Sequence, residues 1–600
     1  MTEKTVSIGG ASGAWGDSPR AIPQLLKADI QYLMMDYLAE VTMSLLAKSR
    51  LKDPNAGFPP DFVAYLKPHL KEIARRGIKV LSNAGGVNPS ACKEAIEAFC
   101  AANEIQLKVA VVLGDDLMPS IEKLRADGVQ EAVSGKTLPE TLLTANAYLG
   151  ALPIKAALDQ GADIVITGRC VDSALALGAL MHEYAWQDDQ YDLLAAGSLV
   201  GHLLECGPQS TGGVFTDWES VPDWHNIGYP IAICHANGDF ELTKAENTGG
   251  MVTVATVSEQ TLYEVSDPAA YILPDVIADF SQLQLTQVKP DCVAIRGVKG
   301  AAPTQQYKVS ATYLDGYRTV ALVAIVGFQA VAKAQRTAQA LLARGNDILQ
   351  ETGAAPFSAH HIEVLGSEAS YGTQSGCQAS REVILRLVLE HKDSKVLQLL
   401  AREMGSVGLS FAQGTTGLIG GRPKPTQVVR LFTFFINKDQ LDLPTVQLGQ
   451  ESAFPVTVPA GQAGFAPRAG TAGQALQEAS ESAQGIEGSS VQVPLIRLAY
   501  ARSGDKGNLS NIAIFSREPQ YFEFLKKALT TEQIKENFKK VSFGPVERYE
   551  APGLQALNFI LHDALGGGGM ASMRIDPQGK AYGQRALELM VSVPASWNLH

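Results

Sequence analysis

The feature that most constrains the fold is a unit repeated through the first third of the chain. A short, mostly apolar run stops at a small or polar residue, and a helical pattern follows. Val6–Ile8 leads into Gly9-Gly10-Ala11-Ser12-Gly13-Ala14-Trp15-Gly16, and Ile30–Met35 stops at Asp36. Ile78–Ser82 stops at Asn83-Ala84-Gly85-Gly86, Leu107–Leu113 at Gly114-Asp115-Asp116, and Asp163–Ile166 at Thr167-Gly168-Arg169. Between these runs, Pro19–Lys27, Phe62–Arg76 and Ala91–Asn103 carry apolar residues at helical intervals. Strands that are mostly apolar without a polar face are buried on both sides, so their alternation with helices predicts βαβ units and a mostly parallel sheet flanked by helices.

From about Pro230 the texture becomes that of an α+β lobe. Asn237-Gly238 between Ile231–Ala236 and Asp239–Leu242 predicts a hairpin with a two-residue loop. Asp315-Gly316 between Gln306–Tyr313 and Tyr317–Ile325 predicts a second hairpin. Val331–Leu349 and Ser380–Met404 are expected as long amphipathic helices, and Val428–Phe435 as a strand. Residues 449–490 are rich in Gly, Ala, Ser, Gln and Pro, a composition that builds no core and reads as a flexible linker. After it, strand-like runs over Val491–Arg517 are interrupted at Arg502–Asn508. Helices are expected near Tyr521–Lys540 and Gly553–Leu565, and a last strand at Ala586–Val593.

The predicted class is therefore α/β. An N-terminal region over 1–448 divides into a parallel part to about 225 and an α+β lobe over 226–448. A linker over 449–490 leads to a small α+β domain over 491–600.

With 50 basic and 62 acidic residues the net charge is −12, which argues against a nucleic-acid surface. The longest apolar run, Val320–Phe328, is far shorter than the roughly 20 residues that span a bilayer. MTEKTVSIGG lacks the layout of a signal peptide, and seven dispersed cysteines without a CxxC pair read as reduced thiols. A cytoplasmic protein with neither membrane nor nucleic-acid partner is expected.

Ligands of open α/β sheets bind outside the carboxyl ends of the strands. Asp36, Asn83, Asp115, Asp116, Thr167, Arg169 and Asp172 all follow predicted strands, so they are candidates for one crevice. Strand termination and helix capping are the alternative. Thr167-Gly168-Arg169 entering a helix offers backbone N–H groups and a guanidinium fork to a phosphate or carboxylate. The same residues equally fit an Arg169–Asp172 ion pair with a helix cap.

Gly10, Gly13 and Gly16 after the first strand, with Asp36 ending the next, invite a dinucleotide reading. Yet the spacing is GxxGxxG and Trp15 sits within it, which suits a substrate loop containing Gly10, Ser12 and Gly13 at least as well. Asp36 and Glu40, four apart, are expected on one helix face, where such carboxylates more often favour the helix N-terminus than do chemistry. In Leu204–Gly213, Glu205 is a better acid–base candidate than Cys206 is a nucleophile. Gly135-Lys136-Thr137 has Gln130 where a P-loop needs glycine. No GxSxG surrounds Ser375 or Ser410, and His235 and His360-His361 lack metal-ligand spacing.

Ile8–Gly13, Asp36-Tyr37-Leu38-Ala39-Glu40, Ser82–Gly86, Thr167-Gly168-Arg169 and Glu205-Cys206-Gly207 resemble the acyclic terpene utilisation (AtuA) family. Ala501-Arg502-Ser503-Gly504-Asp505-Lys506-Gly507-Asn508 resembles that family's small C-terminal domain, which is ferredoxin-like. The agreement covers nearly the whole chain outside the linker. It implies a place in the breakdown of citronellol- and geraniol-type terpenoids through branched acyl-CoA thioesters, and it carries over no catalytic residue.

On this reading Asp36, Asp116 or Glu205 moves a proton, Asn83 stabilises an oxyanion, and Arg169 with Asp172 and the glycine loops holds an anionic acyl-CoA or carboxylate. A lyase or hydratase suits that inventory. Asp36, Asp115 or Asp116 is a candidate holder of a divalent cation. A nicotinamide-dependent oxidoreductase and a non-catalytic subunit of an acyl-CoA-processing complex are the alternatives. Homo-oligomerisation is expected. The Arg502/Asp505/Lys506/Asn508 segment serves a site, an interface or simply a charged turn.

Overall fold

A computed structural model describes residues 4–465 and 490–599. Strands β1 (Thr5–Gly13), β2 (Tyr32–Asp36), β3 (Lys79–Ser82) and β4 (Val109–Leu113) alternate with helices. β5 (Thr144–Ala147), β6 (Ile164–Thr167), β7 (Pro230–His235) and β8 (Phe240–Lys244) follow. β1, β2, β3, β6 and β4 lie side by side in that order, all parallel.

The alternation within each strand explains why the runs show no polar face. Tyr32 and Met34 of β2 enter the core on one face of the sheet, and Leu33 and Met35 enter the core on the other. The first glycines do not form a loop: β1 continues through Gly9 and Gly10 to Gly13, with a bulge between Gly10 and Ser12. The helix expected to carry both Asp36 and Glu40 begins at Glu40, so Asp36 belongs to β2 and the two do not share a helix face.

Antiparallel strands extend this sheet at both edges, so position 225 is not a break. β7 pairs with β1, β8 with β7, and the strands Cys292–Arg296 and Gln284–Lys289 follow. The β7–β8 hairpin forms, but its loop is wider than two residues, because Cys234 pairs with Phe240 and His235 N–H bonds Asp239 O at 3.0 Å. At the other edge Thr445–Leu448 adds to β4, and Phe454–Pro455 adds to that strand. Part of the expected linker is therefore within the fold, and its residues 466–489 lie outside the described residues.

The second sheet is built on a single strand, Gln306–Val326, where a hairpin was expected. Its first half lies between β5 and Thr426–Asn437, its second between Glu382–His391 and Thr415–Leu418. Asp315-Gly316 is a bulge: Leu314 pairs with Val429 and Tyr317 with Gln427, so two residues oppose one. Gly316 takes a positive φ of 85°, and Lys392 and Arg430 donate to the Asp315 carboxylate.

Ser380–Met404 is likewise not one helix but the strand Glu382–His391 followed by the helix Ser394–Glu403. Val383, Leu385, Leu387 and Leu389 are buried at every second position, the period of a strand, and only the second half has helical spacing.

The C-terminal domain is an antiparallel sheet in the order Ala499–Lys506, Leu509–Ser516, Ala556–Leu561, Val546–Ala551, with helices over Pro519–Ala528, Thr531–Phe538 and Tyr582–Leu587. Ser490–Pro494 pairs with Met590–Pro594. The helix expected over Gly553–Leu565 is replaced by the buried strand Ala556–Leu561. The interruption expected at Arg502–Asn508 narrows to a turn, since Arg502–Lys506 completes a strand.

This domain is docked through an apolar face, where Tyr500, Phe515 and Leu554 join the core of the large region, and through polar side chains. Asn511 Nδ2 donates to Leu262 O at 2.8 Å and Asn558 Nδ2 to Val265 O at 2.8 Å, and Arg502 Nη1 reaches Val214 O at 3.0 Å. Among the described residues, no helix is long and apolar enough to cross a membrane.

Candidate functional site

The carboxyl ends of β2, β3 and β6 deliver Asp36, Asn83 and Arg169 to one place. Asn83 is fully buried and acts as the hub. Its Oδ1 accepts Tyr37 N–H at 2.8 Å, and its Nδ2 donates to Asp36 Oδ1 at 2.5 Å and to Asp172 Oδ1 at 3.2 Å. Both amide hydrogens are thereby committed, so Asn83 positions the two acids and has none left for an oxyanion. Burial, with the Asp172 charge beside it, holds the Asp36 carboxyl well above the ordinary aspartate range.

Arg169 is a buried member of the cluster, not an open anion clamp. Its Nη1 donates to Asp172 Oδ1 at 2.6 Å, and its guanidinium stacks over the Tyr148 ring at 4.2 Å. On the same ring lies Lys308 Nζ, 4.6 Å from the centroid, and the Tyr148 hydroxyl donates to Glu40 Oε1 at 2.5 Å. Burial alone would raise the Glu40 carboxyl, but Lys308, Arg169 and the tyrosine hydroxyl outweigh it and hold Glu40 ionised.

Glu205 ends the helix Tyr191–Leu204 on the facing wall. His202, one turn earlier, is buried against Tyr271 and Phe280, and its Nδ1 lies 2.9 Å from Glu205 Oε1. Burial raises the Glu205 carboxyl and His202 opposes the rise. Burial, then the Glu205 charge, pushes the neighbouring Cys206 thiol well up, which disfavours a thiolate nucleophile.

The C-terminal domain closes the ring. Lys506, at the end of its strand, has Nζ 5.7 Å from the Tyr271 ring and lies within electrostatic reach of Glu264, Glu205 and Glu40. Asp505 beside it is pushed up to about 7 by burial and then by the Glu264 charge. Lys580, over the Tyr263 ring at 4.4 Å, is brought down to about 8 by burial.

Several of these groups are densely surrounded yet keep some solvent access: side-chain exposure is 29% for Glu40, 24% for Asp172, 15% for Glu205 and 36% for Lys308. Such groups line a cleft; they neither belong to the core nor stand on an open surface.

Other expected site residues have different work. Asp116 is exposed and its Oδ1 accepts Met118 N–H at 3.0 Å, so Asp115, not Asp116, points inward. Asp115 Oδ2 takes the Arg169 N–H, which fills from within the anion position foreseen at Thr167-Gly168-Arg169. Gly168 is glycine because a Cβ there would meet Asp115 Oδ1 at 2.4 Å, and Thr167 turns its hydroxyl back to Gly168 O at 2.8 Å. Ser12 Oγ is spent on Asp36 O at 2.8 Å.

A Cβ on Gly10 would stand 2.6 Å from Leu204 O, and one on Gly13 would stand 2.7 Å from Cys206 C. These glycines allow β1 to touch the segment that carries Glu205. Asp36, Asp115 and Asp116 do not converge. Among the described residues, no group of three or more His, Cys, Asp or Glu is placed to hold a metal ion.

Residues that the strand-end argument missed are Asn146, Tyr148, His202, Glu264 and Lys308; Glu40 had been set aside. A signal existed for Lys308: in Tyr307–Thr312, Lys308, Ser310 and Thr312 alternate with Tyr307, Val309 and Ala311, so one face of that strand is polar.

Residues 493–592 match the AtuA ferredoxin-like domain. Among curated proteins, none matches the sequence. Residues 6–446 match the acyclic terpene utilisation family protein AtuA, a match over most of the chain, and the chain belongs to that family.

Proposed function

We propose that the protein is an enzyme of acyclic terpenoid breakdown that acts on a branched acyl-CoA or related carboxylate by acid–base chemistry of the lyase or hydratase type. The His202–Glu205 couple carries this reading. His202 Nε2 lies 3.0 Å from Gln260 O, a carbonyl that can only accept, so that nitrogen holds a hydrogen. One further proton is then shared between Nδ1 and Glu205 Oε1, as imidazolium and carboxylate or as imidazole and carboxylic acid. Glu205 reaches the cleft, while His202 sits behind it and orients its carboxyl.

In an elimination, Glu205 takes the proton from the carbon next to the substrate carbonyl. Hydroxide leaves from the next carbon, protonated by the acid form of Asp36, and departs as water. Hydration runs the same steps backwards. Lys308 and Lys506 supply positive charge for the anionic end of the substrate.

The test is turnover of branched 3-hydroxyacyl-CoA and 2-enoyl-CoA thioesters, followed by the absorbance of the conjugated thioester. Glu205→Gln should lower turnover by roughly 100-fold or more with the melting temperature retained. Equal turnover by the variant removes the couple from the mechanism.

A further inference from the structure

Between the helix that begins at Glu40 and the paired strands β5 and Gln306–Val326 lies a cavity of about 10 Å³, room for about one oxygen atom of a water molecule. Its lining includes Glu40, Asn146, Arg169, Ser310 and Thr312. Most of their polar atoms are engaged. Asn146 Nδ2 donates to Asp115 at 2.8 Å, Thr312 Oγ1 bonds the hydroxyls of Ser44 and Thr144 at 2.8 and 2.7 Å, and Glu40 takes Tyr148 and Lys308.

Two are not. Arg169 Nε and Ser310 Oγ are buried without a hydrogen-bond partner, in residues only 4% and 7% exposed. A buried polar atom left unpaired costs about 1–3 kcal/mol, and two such atoms in residues that line one small cavity point to a polar guest there. Arg169 Nε–H can only donate and Ser310 can donate, so the guest is an acceptor. The charge of Arg169 disfavours a cation, and the volume limits the guest to one oxygen. Glu40, in the same lining, keeps 29% of its side chain open, so a larger molecule in the cleft can insert a single atom.

We propose that this is a carbonyl-oxygen pocket: Arg169 Nε–H and Ser310 Oγ–H together hold the thioester or carboxylate oxygen of the substrate, and water takes the position in the free protein. The inference rests on the acyl-substrate reading above. It replaces the oxyanion role expected of Asn83. Two donors on the carbonyl oxygen would draw electron density from the adjacent carbon and favour removal of its proton.

The test uses the whole protein with two probes, geranoyl-CoA and its thioether analogue, in which the carbonyl is a methylene, with a high-resolution crystal structure of the free protein beside them. Expected are one ordered water bonded to both Arg169 Nε and Ser310 Oγ, and thioester binding about tenfold or more tighter than thioether binding. In Ser310→Ala that preference should collapse towards unity, with binding of the thioether unchanged. No water at the two atoms overturns the pocket, as does a Ser310→Ala variant that keeps the full preference. If neither probe binds the wild type while the water is present, the acyl-CoA reading fails and the carbonyl assignment falls with it, while the polar pocket stands.

Discussion

Asp115 holds the backbone N–H of Arg169 at 2.7 Å, a strand-end carboxylate occupying the position an external anion would take. The same oxygen, Oδ2, also accepts Asn146 Nδ2, and Oδ1 stands against Gly168. Burial raises Asp115 to about 6 despite these hydrogen bonds. The folded protein therefore binds this proton more tightly than the unfolded chain. The stabilising contribution is complete below the ordinary aspartate range and is lost as pH rises through about 6. A shift of that size corresponds to ~3 kcal/mol. Because both hydrogen bonds fall on one oxygen, Asp115→Asn reproduces the protonated form. Urea unfolding from pH 4 to 8 should show the variant gaining on the wild type as pH rises, and parallel curves would refute the assignment.

Arg169→Ala should unfold the protein more than it weakens substrate binding. The side chain is 5% exposed and is paired with Asp172, so truncation leaves Asp172 and Asp36 as neighbouring acids with no guanidinium between them. The expected loss is about 3–5 kcal/mol, the cost of breaking a buried pair from one side. Arg169→Lys keeps the charge but forfeits both the planar stack on Tyr148 and the Nε donor. Denaturant midpoints of the two variants check the order, with alanine the worse.

Gly10→Ala tests why the first strand is glycine-rich. Its Cβ would stand 2.6 Å from Leu204 O, a backbone atom at the end of the helix that carries His202 and leads to Glu205. Overpacking of this kind costs about 1–3 kcal/mol. Since the displaced segment is the one bearing the acid–base couple, turnover should fall along with the melting temperature. A stable, fully active Gly10→Ala would show that this contact is unimportant.

The parallel half of the fold was legible because its strands are apolar on both faces and end in residues that cannot continue them, such as Asp36 and Asn83. The second sheet was harder. Asp315-Gly316 has the chemistry of a turn, and only the pairing of Leu314 and Tyr317 with a neighbouring strand makes it a bulge. Ala556–Leu561 is six buried residues, too short for periodicity to separate strand from helix. Asp36, Asp172, Arg169 and Glu205 could be foreseen from their positions after strands and at a broken helix end. Lys308 left a trace in the polar face of Tyr307–Thr312, and Lys506 in the charged segment Arg502–Asn508; Tyr148 left none, because only the pairing of β5 with the Gln306–Val326 strand sets it beside Lys308.

Asn558→Ala should loosen the docking of the C-terminal domain. The side chain is fully buried in a strand of that domain and donates to Val265 O and Ser266 O of the large one at 2.8 and 2.6 Å. Two stranded carbonyls cost about 1–3 kcal/mol each. Limited proteolysis should then release a fragment from the N-terminal region, with cleavage faster than in the wild type. Unchanged cleavage would mean that the interface is held elsewhere.

Lys506 separates a structural role for the C-terminal domain from a chemical one. Its side chain lies beside Tyr271, and the residue is exposed, so Lys506→Met should change stability by no more than about 0.5 kcal/mol. If the domain only braces the cleft, ligand binding should be equally indifferent. With Lys506 facing Glu205, Glu264 and Lys308 across the cleft, loss of its charge should weaken binding of an anionic acyl thioester, and the salt dependence of that binding should become shallower. Titration calorimetry of geranoyl-CoA at two ionic strengths reads both effects. A variant with wild-type affinity and wild-type salt dependence would return the domain to the role of a brace.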